Sequence, residues 1–265
     1  MKIFEIVDGE VNLSIGILLY YEKEGTCIIE LQEYLDEWTA PLLLTAYVKK
    51  KIYTIPRDVS LMWVRERVIP SGRQNIDDIL RNHGLKSYDE MKFLEISGGK
   101  CSQDSLYIRK VECLPQYVLD RMGRNIVECV ATENNTVLCF FEDDEVRKID
   151  LAQLKQVEGV DKVIGNVELF RSCKVGTGGY FITFNDSIDI PADILHKSGK
   201  EIPLTLGDFK AFVNKNVVDT TESCDILMCS RQNIAYLIEK QQLAPVKSEV
   251  RGNLYLKGQV LRNKW

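Results

Sequence analysis

Arg231, Gln232 and Asn233 stand side by side directly after Ser230, at a predicted helix start. A guanidinium can form two hydrogen bonds to guanine, and an Asn or Gln amide can do the same with adenine. Five residues further along have side chains suited to phosphate contact: Tyr236, Lys240, Lys247, Arg251 and Lys257. These residue types, with Ser230 as the cap that orients the helix, predict a DNA-binding surface.

Two short helices are predicted to position these side chains. Residues 221–227 suit the first helix, with Thr220 or Thr221 as its N-cap, and Met228-Cys229 suits a tight turn. Ser230 is predicted to cap a second helix, which runs from residue 231 to about 241.

The second helix is predicted to be amphipathic. Ile234, Leu237 and Ile238 follow an i, i+3, i+4 pattern and form one apolar stripe. Arg231 and Gln232 then fall on the opposite, exposed face, where they are free to contact a ligand.

Two extended runs follow the helices, over residues 244–250 and 253–260. They are joined at Arg251-Gly252, where glycine permits a hairpin turn. This arrangement of two helices and a hairpin is that of a winged helix-turn-helix, and it places Lys257 on the wing.

The residues at 230–234, 236–238 and 243–246 resemble those of the excisionase and MerR-type DNA-binding family. Met228-Cys229 departs from the glycine and β-branched residue usual in that turn. The resemblance covers residues 220–265 and implies sequence-specific binding to double-stranded DNA. It suggests a bacterial transcription regulator or mobile-element accessory factor, working as a homodimer or with a protein partner. The alternative is a non-catalytic adaptor whose C-terminal helices dock on a protein.

The remaining chain is predicted to be an α+β body of two small units, at residues 1–113 and 124–215, followed by the winged helix-turn-helix at 218–265. The first unit begins with a β-meander over residues 2–7, 11–21 and 26–31. A helix should follow, with Pro41 near its first turn; the residues that suit it are Trp38, Leu42, Thr45, Ala46 and Lys49. Another is expected over 74–82, with Ile76, Ile79 and Leu80 facing inward.

The second unit should hold strands at residues 126–132, 136–142 and 145–149, and Asp150 should cap a short helix. Residues 150–151, 168–170 and 189–195 resemble a bacterial family of small α+β domains of unknown function. That family is sometimes fused to a helix-turn-helix, so the resemblance implies an architecture and no activity.

Charge is unevenly distributed along the chain. The net charge is −5. Residues 220–265 hold seven Lys or Arg and four Asp or Glu, so they carry +3 and the rest carries −8. A basic C-terminal segment on an acidic body favours nucleic-acid contact through that segment alone. With no signal-peptide pattern and no long apolar run, we expect a cytoplasmic protein that binds no membrane.

Catalysis and cofactor binding are not expected. The glycines of residues 176–179 lie between two predicted strands, so they suit a hairpin turn better than a phosphate loop, which needs a following helix. The eight cysteines and two histidines lack zinc-ligand spacing. Residues 73–76 repeat the Arg-Gln-Asn-Ile of 231–234 at another predicted helix start. We interpret the repeat as chance, because Asp77 and Asp78 would repel phosphates.

Overall fold

The computed structural model describes residues 1–203, 206–250 and 252–264. The chain divides into two compact units, Met1–Val118 and Leu119–Trp265, and each combines helices with β-sheets. The predicted division into three domains, at 1–113, 124–215 and 218–265, stays a prediction, because the chain divides into two compact units at a single boundary. Among the described residues, no helix has the length and apolar content needed to cross a membrane.

An antiparallel five-stranded sheet forms the first unit, in the order β4-β3-β2-β1-β5. Its strands are β1 (Lys2–Asp8), β2 (Leu13–Tyr21), β3 (Thr26–Leu31), β4 (Thr54–Ile55) and β5 (Leu106–Lys110). Its helices are α1 (Thr45–Lys49), α2 (Arg57–Arg65), α3 (Ile76–Asn82) and α4 (Glu90–Ser97), with a 3₁₀ turn at Leu42–Leu44. The boundary between the units lies within α5 (Gln116–Met122). The predicted meander is confirmed.

The core of the first unit lies between the sheet and helices α2 and α4. Ile6, Ile15 and Ile29 of the sheet pack with Trp63 of α2 and Leu94 of α4, and all five are fully buried. Apolar burial of this kind is the main force holding helices on a sheet.

Two helix predictions in the first unit need correction. Pro41 lies next to the first turn, as predicted, but that turn is the 3₁₀ turn and α1 begins only at Thr45, so the helix is shorter than predicted and Leu42 is exposed. Helix α3 begins at Ile76 rather than Gln74, and none of its seven side chains is buried. The apolar stripe of α3 is present, but it is only partly covered.

Within its described residues, the second unit contains three small antiparallel sheets, in the orders β12-β8-β7-β6, β11-β10-β9 and β13-β15-β14. The strands are β6 (Ile126–Ala131), β7 (Thr136–Phe141), β8 (Val146–Asp150), β9 (Lys174–Val175), β10 (Phe181–Phe184), β11 (Ile188–Pro191), β12 (Lys200–Glu201), β13 (Val217–Val218), β14 (Lys247–Val250) and β15 (Gly252–Leu256). The helices are α6 (Val160–Ile164), α7 (Val167–Arg171), α8 (Ala192–Ser198), α9 (Leu206–Asn216), α10 (Thr220–Leu227), α11 (Arg231–Glu239) and α12 (Lys257–Arg262).

Local turn chemistry explains how this unit is connected. Asn134 and Asn135 both adopt left-handed backbone angles between β6 and β7, as predicted for that hairpin. Asp150 accepts a hydrogen bond from the Ala152 backbone, which confirms the predicted cap. Residues 176–179 turn between the antiparallel strands β9 and β10 and do not open a helix longer than one 3₁₀ turn. The hairpin interpretation of this glycine run is therefore confirmed.

Helix α9 covers the sheet that contains β6 and β7. Phe212 packs on Phe140, with 4.6 Å between the ring centroids, and also contacts Val130 and Leu138. Leu256, at the end of β15, packs against the same cluster. The C-terminal segment, residues 217–264, therefore packs against the sheet of β6, β7 and β8 through Leu256.

Candidate nucleic-acid interface

Helix α10 begins with a reciprocal cap. The Glu222 backbone N–H donates to Asp219 Oδ1 at 2.8 Å, and the Asp219 backbone N–H donates to Glu222 Oε2 at 2.9 Å. The prediction of Thr220 or Thr221 as N-cap is wrong, because this capping box satisfies two backbone N–H groups at once. The spacing of Asp219 and Glu222 is visible in the sequence and is the signal that identifies the cap.

A tight turn joins α10 to α11, as predicted. Met228 takes left-handed angles, φ 51° and ψ 46°, and its backbone N–H donates to carbonyls of the last turn of α10. Left-handed backbone is costly for a residue with a Cβ. The Met228 side chain itself is exposed.

Helix α11 is anchored by the predicted apolar stripe. Ile234 is 1% exposed, and Leu237 and Ile238 are half-buried. The Ser230 hydroxyl accepts from the Asn233 backbone N–H at 3.4 Å, which confirms Ser230 as the N-cap. The helix ends at Glu239 rather than near Gln241, because Gln241 has a left-handed φ of 57°.

The C-terminal segment packs around a small core of its own. Its members come from β13, α11, β15, α12 and the loop after α11, and they are Val218, Ile234, Leu243, Tyr255 and Val260. All five are buried, so α11 is held in place by β13, β15, α12 and the loop that follows it.

The first turn of α11 presents polar side chains to solvent. Arg231, Gln232 and Asn233 are all exposed, and Arg231 Nη2 donates to Thr221 Oγ1 at 3.3 Å. The structure therefore brings the three predicted base-reading residues together on one exposed helix end.

A stripe continues from this end along α11. Gln232, Tyr236 and Lys240 are spaced four residues apart and so share one side of the helix, with Lys240 just past its end. Lys240 Nζ lies 5.6 Å from the centroid of the Tyr236 ring, within cation–π range. Glu239, also exposed, is the acidic group next to this stripe.

The hairpin after α11 differs from its prediction. Lys247 is exposed at the start of β14 and pairs with Leu254 of β15. The predicted second run over 253–260 is correct only as far as Leu256, because β15 ends there and α12 begins at Lys257. Lys257 is thus the first residue of a helix, half-buried, and is not on the wing. Arg251 lies outside the described residues.

A buried glutamate fixes α12 in place. The Gly258 backbone N–H donates to Glu128 Oε1 of β6 at 2.6 Å. Only glycine fits there, since a Cβ on Gly258 would lie 2.2 Å from the Val127 carbonyl oxygen. Burial raises the pKa of Glu128 to about 7, although the helix N–H groups and the charges of Arg262 and Lys257 lower it.

Three exposed cations define the electrostatics of the segment. Among the described residues, Arg231, Lys240 and Lys247 form no ion pair with a carboxylate, whereas Arg262 pairs with Glu142 at 2.6 Å. Unpaired, solvated cations of this kind are available to phosphate oxygens. The interface can therefore supply base contacts from the first turn of α11 and phosphate contacts from Lys240 and Lys247.

One cluster of chemically active side chains lies elsewhere in the second unit. His196 Nε2 lies 2.8 Å from Asp143 Oδ2 and 3.3 Å from Glu145 Oε2, and Arg147 also donates to Glu145. The cluster is a hydrogen-bonded network that joins α8 to the hairpin between β7 and β8. Sequence reasoning missed it because its members are far apart in the chain.

No protein-family model matches the chain, and no curated protein matches it. Among solved structures, it is similar to a crystal structure described as that of a "putative DNA binding protein" from Nitrosomonas europaea. The identity is 14% and the TM-score 0.25, over 46% of this chain and 79% of that one. At this TM-score the likeness establishes neither a shared fold nor a shared function.

Proposed function

We propose that this chain binds double-stranded DNA sequence-specifically, with the first turn of α11 in the major groove. α10, the turn, α11 and the hairpin then act as a winged helix-turn-helix of the excisionase and MerR type. Its role is that of a bacterial transcription regulator or mobile-element accessory factor.

The proposal rests on the exposed triplet Arg231, Gln232 and Asn233. Each of these side chains can bond to a base edge, and none is needed for the core of the segment. Ile234, which directly follows the triplet, is buried and anchors the helix, so the triplet is presented on a rigid support. A recognition helix uses its N-terminal residues in this way.

Affinity for DNA requires more than one such helix. A single small module covers few bases, and regulators of this kind bind two half-sites as dimers. We therefore expect a homodimer on DNA, with the remainder of the chain supplying the contact between copies.

Selection of duplexes from a random library, followed by binding titrations across a salt series, tests the proposal. We expect an enriched sequence that binds about a thousandfold more tightly than a scrambled duplex. Lys247→Ala should lower the slope of log affinity against log salt by about one, since one phosphate contact is lost. Lys110→Ala, an exposed lysine of the first unit, is the control and should change nothing.

A second function is favoured by exposed apolar side chains on the same segment. Met228, Tyr236 and Val246 are all exposed, and such side chains suit a protein interface. In that case the segment docks on a protein partner, no duplex is enriched, and complex formation depends little on salt. Met228→Lys would then disrupt the complex, whereas Arg231→Ala would leave it intact.

A further inference from the structure

The first unit contains a cavity of about 410 Å³ that the proposed DNA contacts do not use. It lies between the loop that precedes α1, helix α2 and the loop that leads into β5. Its volume is in the range of small-molecule sites, which is about 300–1,000 Å³.

Trp63 and Arg67 line this cavity as a stacked pair. They are 1% and 8% exposed, and the Arg67 guanidinium carbon lies 4.2 Å from the centroid of the Trp63 ring. Arg67 is held by Asp104, which accepts two of its hydrogen bonds, and by the Gly99 carbonyl at 3.1 Å.

Large apolar side chains are exposed around the cavity. Trp38 is 86% exposed and Leu42 is 95% exposed, and both line it. Neither contributes to the core, so both are free to cover an apolar or aromatic body. A tryptophan face also attracts cations.

The ionisable groups of the lining give it a negative charge. The described lining residues carry a net charge of −2, from the three carboxylates Asp8, Glu66 and Asp104 and the one cation Arg67. The Ser105 hydroxyl lowers the pKa of Asp8. Burial raises the pKa of Asp104, but the hydrogen bond and charge of Arg67 outweigh this and keep it below its usual value. Asp8 and Asp104 therefore stay ionised at neutral pH, which favours a cationic ligand over an anionic one.

We propose that this cavity binds a small organic cation that has an aromatic body. The cation is held by the carboxylates, with Glu66 exposed and able to approach it, and the aromatic body stacks on Trp38. This site is independent of DNA binding by the C-terminal segment.

Calorimetric titration of the full chain with three benzoyl compounds tests the proposal. Benzoylcholine is a cation, hippuramide is neutral and hippurate is an anion, and each carries an aromatic ring and a carbonyl acceptor. We expect benzoylcholine to bind at least about tenfold more tightly than hippuramide, because the lining is negative. Hippurate should give no detectable heat.

Two exposed positions provide variants that leave the core intact. Glu66→Gln and Trp38→Ala should each weaken benzoylcholine about fivefold, through loss of a charge and of a stacking face. Glu112→Gln and Met62→Ala, which alter exposed side chains outside the lining, should bind as the unchanged chain does. Absence of benzoylcholine binding, equal or tighter binding of hippurate, or indifference to both Glu66→Gln and Trp38→Ala would overturn the proposal.

Discussion

Residues 73–76 and 231–234 have the same sequence, Arg-Gln-Asn-Ile, but the structure uses them differently. The first copy is a turn that leads into α3, in which the Ile76 backbone N–H donates to the Arg73 carbonyl at 3.0 Å. The second copy is itself the first turn of α11. The same polar residues therefore lie before a helix in one unit and inside a helix in the other.

The neighbouring residues account for this difference. Ser230 caps the second copy with its side chain, whereas Gly72, which precedes the first copy, has none to offer. The isoleucine of the second copy is fully buried, and that of the first is half-buried. Asp77 and Asp78 follow the first copy, where the second is followed by Ala235 and Tyr236. A short motif thus acquires a possible function only from its cap, its core and its local charge.

The largest expected effect is on stability, and it differs between alanine variants of the two isoleucines, Ile234 and Ile76. Ile234→Ala should lower the free energy of unfolding by about 3 kcal/mol, because it leaves a cavity in the core of the C-terminal segment. Ile76→Ala removes a half-buried side chain and should cost less than about 1 kcal/mol. Urea unfolding monitored by circular dichroism measures both. Equal losses would mean that the second copy is no better anchored than the first.

A pH effect of similar size on stability tests the contact between Glu128 and α12, which belongs to the same segment as the second copy. Burial gives Glu128 a pKa of about 7 against an ordinary 4.5, so the folded chain binds its proton at higher pH than the unfolded chain. The free energy of unfolding should therefore fall by up to about 3 kcal/mol as pH rises through that window. Glu128→Gln should lack this contribution, since glutamine does not ionise.

Urea unfolding at several pH values provides the comparison. The stability of the Glu128→Gln protein should decline less with rising pH than that of the unchanged chain. Glu133→Gln, an exposed glutamate of the β6–β7 hairpin, is the control and should follow the unchanged chain. If the free energy of unfolding changes with pH in the same way for the Glu128→Gln and unchanged proteins, ionisation of Glu128 does not affect how α12 is held.

The smallest expected effect concerns the turn before the second copy. Met228 has a left-handed backbone and an exposed side chain, so Met228→Gly should stabilise the chain by about 1 kcal/mol. Thermal unfolding is a sufficient measurement, with Met62→Gly in α2 as the contrasting change that should destabilise. A loss of stability in Met228→Gly would show that the methionine side chain supports the turn.

The sequence predicted local features of this chain better than distant ones. The β-meander and the stripe of α11 follow from short-range periodicity, and Ser230 caps its helix through neighbouring backbone groups. Helix α12 was missed, although Leu256 and Val260 have helical i, i+4 spacing. The bond between Glu128 and Gly258 joins residues 130 positions apart, and no local pattern indicates it.

The cavity of the first unit likewise depends on contacts that the sequence did not indicate. Trp38 and Leu42 were expected in one helix with Thr45, but they lie in a loop and a 3₁₀ turn that precede α1, so their exposure could not be foreseen. Arginine is seldom buried without a partner, and Arg67 is buried here because Asp104 and Trp63 both contact it. Tertiary contacts, rather than propensity, create this site.

Binding of the selected duplex by two arginine variants tests the central claim most directly. Arg231→Ala should weaken binding by about 1–3 kcal/mol and relax base preference at one position, because Arg231 reads a base. Arg73→Ala, the same change in the same four-residue sequence, should leave affinity and preference unaltered. Circular dichroism should show both proteins folded, since both arginines are exposed. If the two variants bind equally and both retain the base preference of the unchanged chain, α11 does not read DNA.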